Sequence, residues 1–216
     1  MRLSDNLYAF PWQVLTENNC NSYLIDGSFK ILIDPGHQHL LSELLNSLDS
    51  MSIRPEDIDL VVGTHGHPDH IEALQSFSSP STMLTMGEME YRYFQEKAAH
   101  LFGFGLEPDF LLTEGTLKAG TTELQVLRTP GHSPGSICLY WPSQKALFAG
   151  DVIFEQGVGR TDLPGGSGTQ LKESIKRLSS LDIELLLPGH GNIIEGKDEV
   201  MRNFSLVEEM YFGLLN

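Results

Sequence analysis

The 216-residue chain predicts a layered α/β domain with helices on the outside, on three observations. Short apolar runs of strand character alternate with segments of helical periodicity through both halves of the chain. The residues of metal-ligand type that stand out each lie just beyond the end of a predicted strand, where they can gather at one sheet edge. A hydrophobic content of 40% suffices for a layered core, and a charged fraction of 20% argues against disorder. No composition shift or linker divides the chain, so a single domain over residues 1–216 is expected.

The elements follow in order. Residues 21–27 and 29–36 read as two strands around a turn at Asp26-Gly27. Leu40, Leu41, Leu44, Leu45 and Leu48 fall on one helical face. Pro55, Glu56 and Asp57 connect to a strand over 59–64. Ile71, Leu74 and Phe77 continue at helical spacing, followed by a strand over 81–86 and a helix over 87–99. Residues 100–112 are irregular and rich in Phe and Gly. Alternation and composition then predict strands over 123–128, 136–140 and 145–149, a helix marked by Leu171, Ile175, Leu178 and Leu181, and a buried strand over 183–187.

The strand over 59–64 delivers His65-Gly-His67-Pro-Asp69-His70, three imidazoles and a carboxylate within six residues. A hydrophobic core has no use for such a cluster, whereas zinc, iron and manganese take these ligands. If the backbone stays extended, His65 and His67 point the same way. Asp69 and His70 then open the next helix and serve a neighbouring position. His132 in Thr129-Pro-Gly-His, Asp151 in Ala149-Gly-Asp and His190 in Pro188-Gly-His recur in similar settings. Taken alone, the two histidines read equally as loop residues and Asp151 as a helix cap. With the cluster, His132 completes a site with His65 and His67, His190 completes one with Asp69 and His70, and Asp151 bridges the two. His37, His39 and His100 read as turn or surface residues.

This ligand series, together with Asn21-Ser-Tyr, Asp34-Pro-Gly and Pro188-Gly-His-Gly, resembles the metallo-β-lactamase superfamily. The resemblance implies a four-layer αββα sandwich with a metal site at one edge of its two sheets. Several true β-lactamases carry cysteine or serine where Asp151 stands, and flavodiiron proteins carry glutamate where His67 stands. Ribonuclease Z shares the ligand set, but this chain lacks a basic arm. The segment from Gly150 through Arg160 to Gly166 is most similar to the glyoxalase II branch, hydroxyacylglutathione hydrolases, and to the related persulfide dioxygenases. In that branch the position of Arg160 holds the thiol-carrier part of the substrate, as a bidentate partner for a carboxylate. The alternative for Arg160 is an ion pair with Asp162 or Glu155. Glyoxalase II of the long form adds a C-terminal helical substrate region, which is not expected here.

The function this implies is hydrolysis of a thioester or related ester, with two divalent ions, zinc foremost and iron or manganese as alternatives, holding the attacking hydroxide. Asp69 orients it, and no nucleophilic serine or cysteine is needed. One rival is a mononuclear iron persulfide dioxygenase built on His65, His132 and Asp151, a two-histidine, one-carboxylate set. Another is a lactonase whose apolar lid comes from Tyr93, Phe94, Phe102 and Phe104, which serve otherwise as core or as a subunit contact. A net charge of −15 with only 14 scattered Lys and Arg disfavours nucleic acid and anionic membrane partners. A small-molecule substrate is expected, and homo-oligomerisation is left open. No apolar run approaches the ~18 residues that span a bilayer, and no signal peptide is evident, so a cytoplasmic protein is expected. Cys20 and Cys138 sit in strand contexts that favour buried thiols over a disulfide.

Overall fold

Among the described residues, fourteen strands and six α-helices build two compact units, each around one six-stranded sheet. The computed structural model describes residues 1–14 and 16–215. The first unit takes Met1–Leu112 and Lys118–Thr122, and the second takes the remainder.

In the first unit the strands β1 (Leu7–Phe10), β2 (Ser22–Asp26), β3 (Lys30–Ile33), β4 (Leu60–Gly63), β5 (Met83–Gly87) and β6 (Phe110–Leu112) lie in sequence order. The first three are antiparallel, and β3 through β6 run parallel. β2 and β3 form the expected hairpin, with Leu24 opposite Leu32. Leu60, Val61 and Val62 of β4 are all buried, the pattern of a central parallel strand covered on both faces. Helix α1 (Leu41–Ser50) lays Leu41, Leu44 and Leu48 into a core with Leu24, Val61, Leu74, Phe77 and Leu84. Each such side chain, fully buried, contributes about 1.5–3 kcal/mol.

The periodicity at Ile71, Leu74 and Phe77 does not become one helix. Helix α2 covers only Pro68–Ile71, and a 3-10 turn follows at Leu74–Phe77. The cause is competition for backbone partners: the Asp69 carbonyl accepts the Cys20 amide, and the Ala73 amide turns instead to the Gly36 carbonyl. The aromatic segment, open to a lid reading, packs on the core. Phe94 is buried against Phe104, and Phe102 and Phe104 also join this cluster. Helices α3 (Glu88–Tyr93) and α4 (Ala99–Phe102) flank a π-helical turn there.

The second sheet, which belongs to the second unit except for Lys118, Ala119 and Thr122, has the order β14-β13-β10-β9-β8-β7, from β7 (Gly115–Ala119), β8 (Thr122–Arg128), β9 (Ile137–Trp141), β10 (Ala146–Gly150), β13 (Leu185–Pro188) and β14 (Ile194–Glu195). β11 (Ile153–Phe154) and β12 (Gly157–Val158) form a separate small hairpin. β10 and β13 are parallel neighbours although far apart in the chain; α5 (Gly168–Leu178) lies between them in sequence and buries Leu171, Ile175 and Leu178. A further helix, α6 (Lys197–Tyr211), buries Val200, Phe204 and Val207. Its buried Asn203 also pins the hairpin, donating to the Phe154 carbonyl and accepting the Gln156 amide. Both cysteines are buried thiols, Cys20 in the first unit and Cys138 in the second. Among the described residues no helix is long and apolar enough to cross a membrane.

The loop from β8 to β9 meets α5 at a glycine. Gly131 has φ +138°, and a Cβ there would stand 2.2 Å from the Leu171 amide nitrogen and 2.3 Å from its Cα. Backbone cannot yield as a side chain does. Gly131→Ala is therefore expected to cost about 3 kcal/mol or more, a drop of roughly 10 °C in melting temperature. A thermal melt checks this, and an unchanged midpoint would refute the close approach.

Candidate metal centre

The first unit supplies four of the expected ligands from one turn. Beyond β4 the chain bends over residues 64–66 and is extended at His67, which precedes α2 with φ −78° and ψ 145°; Pro68 takes the first helical position, where its missing N–H is no loss. His65 and His67 are edge to face with centroids 4.8 Å apart, and His65 and His70 lie 4.1 Å apart. His65 and His70 are buried, Asp69 nearly so, and His67 is half-buried beside the Phe102 ring. The helical start predicted at Asp69 and His70 is found in α2, whereas the run expected to stay extended from His65 bends at residues 64–66.

Hydrogen bonds fix which imidazole nitrogens carry protons. Buried Asp34 accepts the Thr64 amide on Oδ1 at 2.7 Å and the Thr64 hydroxyl on Oδ2 at 2.7 Å. Its Oδ2 also faces His70 Nδ1 at 2.9 Å, and a carboxylate only accepts, so His70 carries its proton on Nδ1. The Thr64 hydroxyl, having given its hydrogen to Asp34, can only accept from His65 Nδ1 at 3.2 Å. In their neutral form, one carboxylate thus sets both His65 and His70 as the Nδ1–H tautomer, with the Nε2 lone pair available to a cation, the task of an outer-shell partner in metal sites. Asp34 reaches this position with φ +53°, a left-handed conformation that aspartate tolerates better than most residues. Asn18 Nδ2 donates to Asp69 Oδ2 at 2.7 Å, and buried Glu90 accepts the Gly66 amide at 2.8 Å, holding the middle of the cluster.

The second unit supplies the other three. Asp151 and His190 follow the ends of the adjacent parallel strands β10 and β13, and the Gly189 amide bonds the Gly150 carbonyl at 2.7 Å. His132 donates Nδ1–H to the Arg160 carbonyl at 2.8 Å, so the neutral ring has its lone pair on Nε2. Nε2 of His132 lies 3.5 Å, and Nε2 of His190 3.4 Å, from the same oxygen, Asp151 Oδ2. Ligand atoms about 2.1 Å from one tetrahedral ion stand roughly 3.4 Å apart, so this spacing and donor chemistry fit ligands of divalent cations. Gly159 permits the packing: a Cβ there would be 1.8 Å from the Asp151 carbonyl oxygen and 2.9 Å from His132 Nδ1.

Arg160 is mostly exposed and forks onto Asp162 at 2.9 and 2.8 Å, one of the two ion pairs open to it from sequence. The hydrogen bonds from Arg160 lower the Asp162 pKa to about 2. Asp34, Thr64, Asn18 and Glu90 were not readable as site residues. Asp34-Pro-Gly signals a turn, and only the fold shows that its carboxylate meets residues 30 and 36 positions away. One histidine pair set aside as surface, His37 and His39, meets Glu72 in the first unit.

Comparisons with known proteins identify the family of the chain. A family model for the metallo-beta-lactamase superfamily matches residues 15–190. A probable metallo-hydrolase of Methanocaldococcus jannaschii is 37% identical over 185 residues, 80% of this chain and 88% of that one. A hydroxyacylglutathione hydrolase of Haemophilus influenzae is 30% identical over 82% of this chain and 86% of its own. A metallo-beta-lactamase family protein of Thermus thermophilus shares the fold with a TM-score of 0.79 at 23% identity, covering 98% of this chain and 81% of that one. Another protein, solved in a di-iron-bound form, is 30% identical with a TM-score of 0.71, over 93% of this chain and 97% of that one. The chain belongs to the metallo-β-lactamase superfamily and has that superfamily's αββα fold.

Proposed function

We propose that the chain is a binuclear metallohydrolase of thioesters or related esters, its two units working as one domain. His65, His67 and His132 hold one divalent ion, Asp69, His70 and His190 the other, and Asp151 bridges them. The observation that carries the two-ion reading is the single Asp151 oxygen lying 3.4–3.5 Å from two imidazole Nε2 atoms. Each unit's set offers donors of the right chemistry for such ions. When bound, the ions supply an activated water at neutral pH and a Lewis acid for the carbonyl.

The residues of the chain supply position. Asp69, held through Oδ2 by Asn18, orients the attacking water toward the carbonyl carbon. Asp34 keeps two neutral imidazoles in the Nδ1–H tautomer, which turns the Nε2 lone pair of each to a cation. Arg160 offers a substrate carboxylate the fork it now gives Asp162, an exchange between exposed partners. Similarity to the hydroxyacylglutathione hydrolase supports a thioester as the substrate class. Zinc is the first choice of metal, and the di-iron form of one relative supports iron as the second.

The test is to assay protein purified without added metal. Two metal ions per chain and release of free thiol from a hydroxyacylglutathione thioester are expected. One iron per chain, with oxygen uptake on glutathione persulfide and no thioester cleavage, would replace this reading with a mononuclear dioxygenase. Cleavage of lactones alone would shift the substrate class.

A further inference from the structure

A second group of ligand-type side chains stands apart from the seven above. His37 and His39 flank the start of the 3-10 turn Gln38–Leu40, and Glu72 follows α2. Each of the three offers one ligand atom within 4.8 Å of the others. His37 Nδ1 lies 2.7 Å and His39 Nδ1 3.9 Å from the same oxygen, Glu72 Oε2, and the two rings are 4.9 Å apart. We propose that His37, His39 and Glu72 form a separate, exchangeable site for a first-row divalent cation, with zinc the probe of choice.

Two imidazoles and a carboxylate are the donor set such ions take, and three protein ligands leave a fourth position for water. Without a cation, Glu72 is held by His37 and by the Gln38 amide at 3.1 Å. Ligands of one ion stand roughly 3.4 Å apart, so binding requires the 2.7 Å His37–Glu72 contact to open and the 3.9 Å His39 contact to close slightly. His39 can make that adjustment, with 64% of its side chain exposed. The fold gives the site a consequence. Gly36, just before His37, bonds the His70 carbonyl through its amide and the Ala73 amide through its carbonyl, so a cation here clamps the chain around Asp34 to the turn carrying Asp69 and His70. In the sequence His37 and His39 read only as turn or surface residues; Glu72, 33 residues from His39, is joined to them by the fold.

The experiment titrates zinc into protein that keeps the metal it is purified with, following binding by calorimetry and by elemental analysis after dialysis. One further equivalent beyond the resident metal is expected. His39→Ala, an exposed change that leaves packing intact, is expected to weaken that equivalent at least tenfold. His37→Ala is expected to do the same, while His100→Ala leaves it unchanged. Absence of the extra equivalent, its persistence in both variants, or its loss in His100→Ala would overturn the proposal. Resident metal is measured before titration and reports on the seven-ligand centre separately.

Discussion

Asp151→Ala is expected to fold, to lose hydrolytic turnover by about 10³-fold or more, and to retain at most one metal ion. The folded state loses little, because Asp151 lies in a loop after β10 and takes no part in the pairing of the sheet. The site loses much. Each imidazole ligates as the neutral ring and Asp69 serves one ion alone, so the Asp151 carboxylate is the negative charge that the two cations would share beside His132 and His190. A Lewis-acid ion is worth several kcal/mol to a transition state, and about 4 kcal/mol corresponds to about 10³ in rate. Asp151→Asn separates shape from charge: it keeps the side-chain volume and the turn, and an equal loss of metal and rate assigns the effect to charge. Metal content and steady-state rates on the same preparation decide it. Full turnover by Asp151→Ala with a single ion would sink the two-ion mechanism while leaving superfamily membership untouched.

Much of this centre was legible in the sequence because its signals are local. Three histidines and an aspartate within six residues need no tertiary knowledge to stand out, and Pro-Gly-His turns mark His132 and His190, although the fold buries the His132 ring. The hairpin of β2 and β3 and the buried parallel strand β4 were equally local. What escaped is non-local. That β10 and β13 pair in parallel, which sets Asp151 beside His190, depends on a crossover through α5 that no periodicity reveals. The helix expected through Phe77 breaks because Cys20 and Gly36 take its backbone partners. Strand β1 is four residues long, too short to announce itself, and α6 carries its apolar stripe among Lys, Asp and Glu, so neither was anticipated. The aromatic segment read ambiguously because Phe spacing alone does not tell a lid from a core.

Asp34→Asn is expected to keep the fold and lower metal affinity about 10–100-fold, the usual cost of losing an outer-shell partner. The replacement is nearly isosteric. The amide oxygen can still accept the Thr64 amide now 2.7 Å from Oδ1. The amide nitrogen, standing where Oδ2 was, is a donor facing the Thr64 hydroxyl and His70 Nδ1. To avoid two donors meeting, His70 must move its proton to Nε2, the nitrogen needed for a cation. The Thr64 hydroxyl, now accepting from the introduced amide, is free to turn its hydrogen toward His65 Nδ1, which reverses that ring in the same way. A single oxygen-to-nitrogen exchange thereby switches two candidate ligands through hydrogen bonding alone. Asp34→Ala is the contrasting case. It leaves the buried Thr64 amide without its acceptor, costing about 1–3 kcal/mol of stability besides the metal, so the alanine variant melts lower whereas the asparagine variant melts close to wild type in the presence of chelator. Melting midpoints with chelator isolate the fold, zinc competition measures the affinity, and nitrogen-15 NMR of the imidazoles reports the tautomers directly. An asparagine variant that binds zinc as the wild type does, with His70 still protonated on Nδ1, would show that Asp34 supports the turn and not the ligands.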